Sequence, residues 1–356
     1  MEKIGFGVIG CGNISRTHAK AIQEVGVAEL VACCDIDEDK AKAWAEEFDL
    51  GDNYHRDLAD MLARDDIQAV SICTPSGMHA EHAIMAAQAG VHMLCEKPLD
   101  ITLKKIDDMI AAAEEHDVKL AGVFQRRTYD STKRVREVVR TGKLGKLVIG
   151  DCYQKYFRSH EYYASGDWRA TWELDGGGAL MNQGVHGIDL ILHLMGPVKR
   201  VSAVARRLVR NIQVEDTAVA ILEYENGALG VLEGTTSVTP GSGCEVEISG
   251  DDGTVGLSGD TITKWEFPGS DEMEQEVDEE GEEGTASDPL ALQATGHTEH
   301  IRDLCEAIIE DREPAIPGRE ARKAVELIKA IYKSSREGGA PVELPLSYVD
   351  DGPGID

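Results

Sequence analysis

Positive charge is what this chain has least of. Against 65 Asp and Glu stand 36 Lys and Arg, a formal net charge of −29. Such a field repels phosphate backbones and argues against nucleic acid as a partner. Long apolar runs are missing too. None approaches the ~18 residues of a membrane span, so no membrane partner is expected. Strand-like sequence begins at Ile4, which leaves no charged leader, apolar core and cleavage site for secretion. The eight cysteines form no C-x-x-C and no zinc spacing. Cys33, Cys34, Cys73 and Cys95 lie in apolar strand-like runs and read as small core residues of a protein in a reducing cytoplasm. Part of the acid excess is local: "GSDEMEQEVDEEGEEGTASD" (269–288) reads as a solvated loop. The rest is spread over helix faces. It suits either a high-salt cytoplasm, where salt screens self-repulsion, or a merely acidic surface.

What is present is a chain of 356 residues, enough for two domains with their own cores. The first third alternates strand and helix. "KIGFGVIGCG", "AELVACCDID", "AVSICTPS", "VHMLCEKP" and "KLAGVFQ" are apolar and β-rich, with helical stretches between them. Such alternation predicts βαβ units: a Rossmann-like, doubly wound parallel sheet whose strand ends collect along one ligand-binding edge. This α/β domain is placed at 1–122. The remainder, 123–356, reads as an α+β domain with a large, mostly antiparallel sheet. Its long alternating strands include "TAVAILEYENGALGVLEGTTS", with an Asn-Gly hairpin signal.

Gly10-Cys11-Gly12-Asn13-Ile14-Ser15 follows the first strand and opens a helix. A lone G-x-G-x-x-G is weak evidence, and Ser15 replaces the third glycine. The strand–turn–helix context strengthens it: Gly10 permits the turn, and Gly12 lets backbone approach a pyrophosphate at the helix N-terminus. Asp35 closes the second strand, where a carboxylate receives ribose hydroxyls and repels a 2′-phosphate. Asp37 adds charge, and no Lys or Arg stands between Leu30 and Asp39, so NAD is favoured over NADP. The competing reading is a structural turn in an α/β domain without a dinucleotide. Thr74, Pro75 and Ser76, at the third strand's end, would lie over the cofactor. His79 and His82 open the next helix as packing or capping residues, with His79 also counted among the cofactor contacts.

Two stretches remain unusual. "LCEKPLD" ends an apolar strand in Glu96, Lys97 and Pro98. "YQKYFRSHEYYASGDWRATWELDGGGALMNQGVHGIDLILHLMG" is rich in aromatic residues and reads as a helix from Gly178 to Gly196. There Met181, Val185, Ile188, Leu192 and Met195 form a core stripe. Asn182, His186, Asp189 and His193 form a polar stripe beside it, facing water or a cleft. Asp189 and His193 read as structural. A metal held by Asn182, His186 and Asp189 is conceivable, but no cysteine or paired carboxylate supports it, so no metal is expected.

"GVIGCGNIS", "TPSGMHAEHAIMAAQAGVHMLCEKPL", "FQRR" and "GGGALMNQGVHGIDL" occur in an order and spacing that resemble the Gfo/Idh/MocA family of sugar and inositol dehydrogenases over essentially the whole chain. The resemblance implies that the Glu-Lys-Pro turn sits beside the nicotinamide, with a cis Lys97–Pro98 bond. Glu96 and Gln125 would then join the cofactor contacts, and Lys97 would reach the substrate hydroxyl. His186 would serve as base, with Asn182 orienting it or the substrate. Asn182 stands where many members carry aspartate, which leaves that carboxylate's role open. Arg127, Lys155, Tyr156, Arg158, Tyr163, Trp168, Arg169 and Trp172 are candidate contacts to a small sugar or cyclitol; arginines could equally take a diphosphate or uronate. The expected activity is NAD-dependent oxidation of a secondary hydroxyl by a homodimer or homotetramer. An NAD-dependent glycosidase and a non-catalytic NAD-binding regulator are the alternatives.

Overall fold

The computed structural model describes residues 3–270 and 295–347. They form two compact units. One holds the residues up to 125 together with 295–322, the other 126–270 and 323–347. The acidic segment expected as a loop lies, from residue 271 on, outside the described residues.

Six strands build the first unit: β1 (Ile4–Ile9), β2 (Ala28–Cys34), β3 (Tyr54–His55), β4 (Ala69–Ile72), β5 (His92–Cys95) and β6 (Leu120–Gly122). Their order is β3-β2-β1-β4-β5-β6, and every pairing is parallel. β1 and β4 are buried almost throughout, as strands covered on both faces must be. The order reverses beside β1, so the turn after β1 and the ends of β4 and β5 line the edge where such sheets bind ligands.

The division falls after Gln125, three residues beyond the boundary read from sequence, and it is not a single cut. Helix Thr295–Ile309, expected in the second domain, packs on helix Asn13–Glu24 of the first. Ile301, Leu304 and Cys305 enter the same core as Ala21 and Ile22, and the Thr298 hydroxyl donates to Glu24 at 2.8 Å. The physical reason is an apolar helix stripe that completes a core left open on that side.

The second unit carries β7 (Leu147–Lys155), β8 (Val198–Arg206), β9 (Thr217–Tyr224), β10 (Leu229–Thr235), β11 (Gly243–Gly250), β12 (Thr254–Ser258), β13 (Thr261–Glu266) and β14 (Val342–Glu343). The sheet runs β13-β12-β11-β7-β10-β9-β8-β14, antiparallel except for β7 with β10. Burial alternates along β8 and β9, so one face meets a core and the other does not. Residues 179–195 cover part of the inner face. Ser334 and Ser335, on helix Gly318–Arg336, accept the N–H groups of Ala203 and Ala205 at 2.8 Å. No helix among the described residues is long and apolar enough to cross a membrane. All eight cysteines are free and buried.

Candidate active site

The first unit sets the glycine-rich turn at the end of β1. Gly10 has φ +88°, a left-handed conformation that a side chain would strain. A Cβ on Gly12 would meet nothing within 4 Å, so its backbone is open to a close ligand. Asn13 is exposed and Ile14 half-buried at the start of the helix. Ser15 is not merely small. Its hydroxyl accepts the Trp44 indole N–H at 2.9 Å and donates to Gly12 O at 2.5 Å, tying the turn to the second helix.

Asp35 accepts the N–H groups of Cys11 and Asp37 at 2.9 and 3.1 Å. Lys40 also reaches it, at 2.9 Å, from just beyond the stretch read as free of cations. Burial raises the Asp35 carboxyl, but Lys40 and the two N–H groups outweigh it, so the group lies below its ordinary value and stays ionised.

At the ends of β4 and β5, Thr74 and Pro75 are half-buried and Ser76 buried. Thr74 Oγ1 lies 3.0 Å from His82 Nδ1. His79 departs from the expected cofactor contact. It is 1% exposed, and its ring nitrogens lie 2.8 Å from the carbonyl oxygens of Thr74 and Pro98. It braces two turns against each other. Lys97–Pro98 is cis and Lys97 is half-buried. The Lys97 N–H donates to Glu96 Oε2 at 3.1 Å. Glu96 Oε1 faces His18 and His297, two partners that sequence reading did not find. Gln125 is buried against Gly296.

In the second unit the expected single helix has two parts, a π-helical turn Ala179–Gly184 and an α-helix Val185–Met195. The Glu215 carboxylate holds its start, accepting N–H groups from Gly178 and Leu180 at 2.9 Å and the Tyr332 hydroxyl at 2.8 Å. Ala179 N–H donates to the Glu215 carbonyl at 3.1 Å. A Cβ on Gly178 would collide with that carbonyl, which accounts for a glycine there. Burial pushes the Glu215 carboxyl up to about 7, against the pull of Leu180 N–H, the Tyr332 hydroxyl and Gly178 N–H.

Asn182 and His186 are the two partly open positions between Ala179 and Ile191. Asn182 donates from Nδ2 to buried Asp175 at 2.7 Å, and its Oδ1 accepts Gln183 Nε2 at 3.2 Å. Asp175 thus supplies a carboxylate next to the position where Asn182 replaces one. Gln183 also donates to Tyr162 Oη at 2.9 Å, as does Arg169, whose guanidinium stacks 4.5 Å from both Tyr162 and Trp168. Buried Arg158 lies 5.5 Å over Tyr156 and Tyr162. Tyr163 donates to Thr236 at 2.8 Å and Trp172 to Gln213 O at 3.1 Å.

Two expected substrate contacts stand elsewhere. Arg127 makes a buried bidentate pair with Asp189, at 2.7 and 2.5 Å, so its fork is committed within the fold. Lys155 falls on the outward strand face, because side chains alternate and Gln154 and Tyr156 point inward. It pairs with Glu233 at 3.0 Å. Asp189 and His193, read from sequence as structural, both meet arginines within the second unit. His193 contacts Arg136, and burial, with Arg127 and Arg136 nearby, pulls it down to about 3.

A parallel sheet with an open glycine turn after β1 and a carboxylate just past the end of β2 is the arrangement of a dinucleotide-binding domain. Residues 4–124 match the oxidoreductase family's NAD-binding Rossmann fold, and residues 132–256 match the GFO/IDH/MocA C-terminal domain. The chain belongs to the GFO/IDH/MocA oxidoreductase family. It is similar to D-apiose dehydrogenase of Paraburkholderia graminis, 29% identical over 93% of this chain and 87% of that one. Myo-inositol 2-dehydrogenase of Thermotoga maritima is 27% identical over 93% and 96%. Among solved structures, the WlbA dehydrogenase of Bordetella pertussis, in complex with NADH and UDP-GlcNAcA, is 34% identical with a TM-score of 0.85, over 97% of this chain and all of that one. The protein is an NAD-dependent oxidoreductase acting on CH–OH groups.

The turn residues fit NAD: an open Gly12 backbone for the pyrophosphate and an ionised Asp35 for the ribose. Lys40 is already paired with Asp35. We expect NAD to be preferred over NADP by at least tenfold in kcat/KM, about 1.4 kcal/mol. Asp35→Ser with Ile36→Arg, the latter at a position 82% exposed, should shift the preference towards NADP. Equal use of both cofactors by the wild type would contradict this role for Asp35.

Proposed function

We propose that the protein oxidises a secondary hydroxyl of an acidic, nucleotide-linked sugar. NAD, when bound, supplies the hydride acceptor. Lys97 donates to the reacting oxygen and stabilises negative charge developing there. The His186 imidazole takes the hydroxyl proton, and Asn182, held by Asp175, orients the substrate. Proton and hydride leave the same carbinol, which becomes a carbonyl.

The observation that carries the substrate class is cationic. In a chain of net charge −29, the second unit gathers Arg158, Arg169 and Arg210 among Tyr156, Phe157, Tyr162 and Trp168. The hydrogen bonds of Arg169 go to neutral oxygens of Ser165 and Tyr162. Aromatic faces suit sugar rings and uracil, and guanidinium forks suit carboxylate and diphosphate. The likeness to the WlbA dehydrogenase, solved with UDP-GlcNAcA, supports the same class.

NADH formation should be followed with UDP-GlcNAcA, UDP-GlcNAc, myo-inositol and D-apiose. The acidic nucleotide sugar is expected to exceed the others by at least ~10-fold in kcat/KM. A neutral free sugar or inositol as best substrate would refute the class while leaving the dehydrogenase intact. Product release without net NADH would favour a glycosidase.

We also infer that a second copy of the chain covers the outward sheet face, where Val148, Val204, Val219, Ile221 and Leu229 are each about half exposed or more. Light scattering at micromolar concentration should give a dimer or tetramer in low and high salt. A monomer in both would contradict it.

A further inference from the structure

The first unit buries the carboxylate of Glu96, expected from sequence among the cofactor contacts, between two imidazoles. Glu96 is 6% exposed, His18 0% and His297 1%. His18 comes from helix Asn13–Glu24, opened by the glycine-rich turn, and His297 from helix Thr295–Ile309. Their Nε2 atoms lie 2.8 and 3.2 Å from one atom, Glu96 Oε1, and the rings meet edge to face with centroids 5.0 Å apart. The other oxygen, Oε2, accepts the Lys97 N–H at 3.1 Å.

A carboxylate oxygen accepts and cannot donate, so each imidazole must present N–H at Nε2. Two N–H donors on one oxygen and a third on the other leave Glu96 one rotamer and keep it ionised. Burial alone would raise the carboxyl, but the bonds from His18 and His297 hold it well below the usual carboxylate range. Burial lowers His18, which keeps that ring neutral. His300 faces the cluster from the same helix as His297, and its Nε2 accepts Phe124 N–H at 3.2 Å. Cys73, Cys95 and Lys97 also lie near Glu96.

Two imidazole nitrogens and a carboxylate oxygen also make a zinc-type ligand set. A metal-bound histidine, however, donates its second ring N–H to a neighbour. Neither His18 Nδ1 nor His297 Nδ1 has a partner among the described residues. The hydrogen-bonded arrangement accounts for the cluster without an ion.

We propose that His18 and His297 are positioning residues for the oxidation. They fix the Glu96 carboxylate and, through the Lys97 N–H, the backbone of the turn that aims Lys97. The arrangement also occupies a carboxylate that would otherwise compete for the neighbouring ammonium. This rests on Lys97 acting at the reacting oxygen, and the test separates the two.

His297→Leu should remain folded by circular dichroism and bind NADH, yet lose kcat by ~10–10²-fold, the scale on which a small misplacement acts. His297→Gln keeps an N–H donor near the Nε2 position and should recover most of that loss. His18→Leu should show the same loss as His297→Leu, and His18→Gln the same recovery as His297→Gln. In the Leu variants Glu96 loses a donor and protonates at higher pH, so kcat should gain a fall on the acid side that the Gln variants lack. In a Lys97→Ala background, His297→Leu should add no further loss, because both act through one group. If Lys97→Ala itself keeps full turnover, the role given to Lys97 fails. If Lys97→Ala is impaired while His297→Leu turns over normally, or Leu and Gln lose equally with unchanged pH profiles, this proposal fails. Stoichiometric metal in the purified protein, removed by chelation with loss of activity, would likewise overturn it.

Discussion

Lys97→Ala is expected to fold, bind NADH and lose about 10²–10³-fold in kcat, as removal of one donor to a developing oxyanion does. The turn that carries the residue is held by its neighbours. The Lys97 N–H is bonded to Glu96, its side chain is half-buried, and the carbonyl of Pro98 is held by His79. A lysine that only braced the fold would behave differently: its loss would lower thermal stability, and turnover would track the folded fraction. Lys97→Arg keeps the charge but replaces a compact ammonium with a planar fork, so it should restore little.

His186→Ala should lose about 10²–10⁴-fold in kcat with NADH affinity retained, the range for a positioned acid–base group. The imidazole must be neutral to accept a proton, so wild-type kcat should rise with pH, and the substitution should flatten that limb. Its setting limits collateral damage. His186 is partly open, while Val185, Gly187 and Ile188 around it are buried, and the start of the segment is held independently by Glu215. Asn182→Ala should cost less, since it orients and does not exchange a proton.

Five of the six strands of the first unit were legible in sequence because parallel sheets buried on both faces write continuous apolar runs, and glycines mark the one turn that must be open; the two-residue edge strand Tyr54–His55 carries no such run and was not read. The Glu-Lys-Pro turn was legible as an anomaly, a charged pair ending a buried strand. What could not be read depends on chain closure. His18 and Glu96 are 78 residues apart, and Glu96 and His297 201, with no local pattern joining them. Helix Thr295–Ile309 has an amphipathic stripe that any exposed core could receive, so its return to the first unit was not written in its periodicity. Helical spacing aligned Asn182 with His186, but the π-helical turn beneath Asn182 arises from tertiary contacts, in which Glu215, itself bonded by the Tyr332 hydroxyl, grips Gly178 and Leu180. Strand alternation could have removed Lys155 from the substrate contacts, since inward Gln154 and Tyr156 fix its direction. Asp175 left a faint signal, a carboxylate seven residues before an asparagine with no charged residue between them, and the run of Gly176, Gly177 and Gly178 hid the contact.

The central claim is that Lys97 and His186 act on one oxygen during one transfer. The measurement that tests it most directly is the single-turnover rate of NADH appearance for the wild type, Lys97→Ala, His186→Ala and the double variant, each saturated with NAD and the best sugar substrate. The account predicts that both single variants are slow and that the double variant loses less than the product of the single losses. Losses that multiply fully, or near-wild-type NADH formation by either folded single variant, would contradict it.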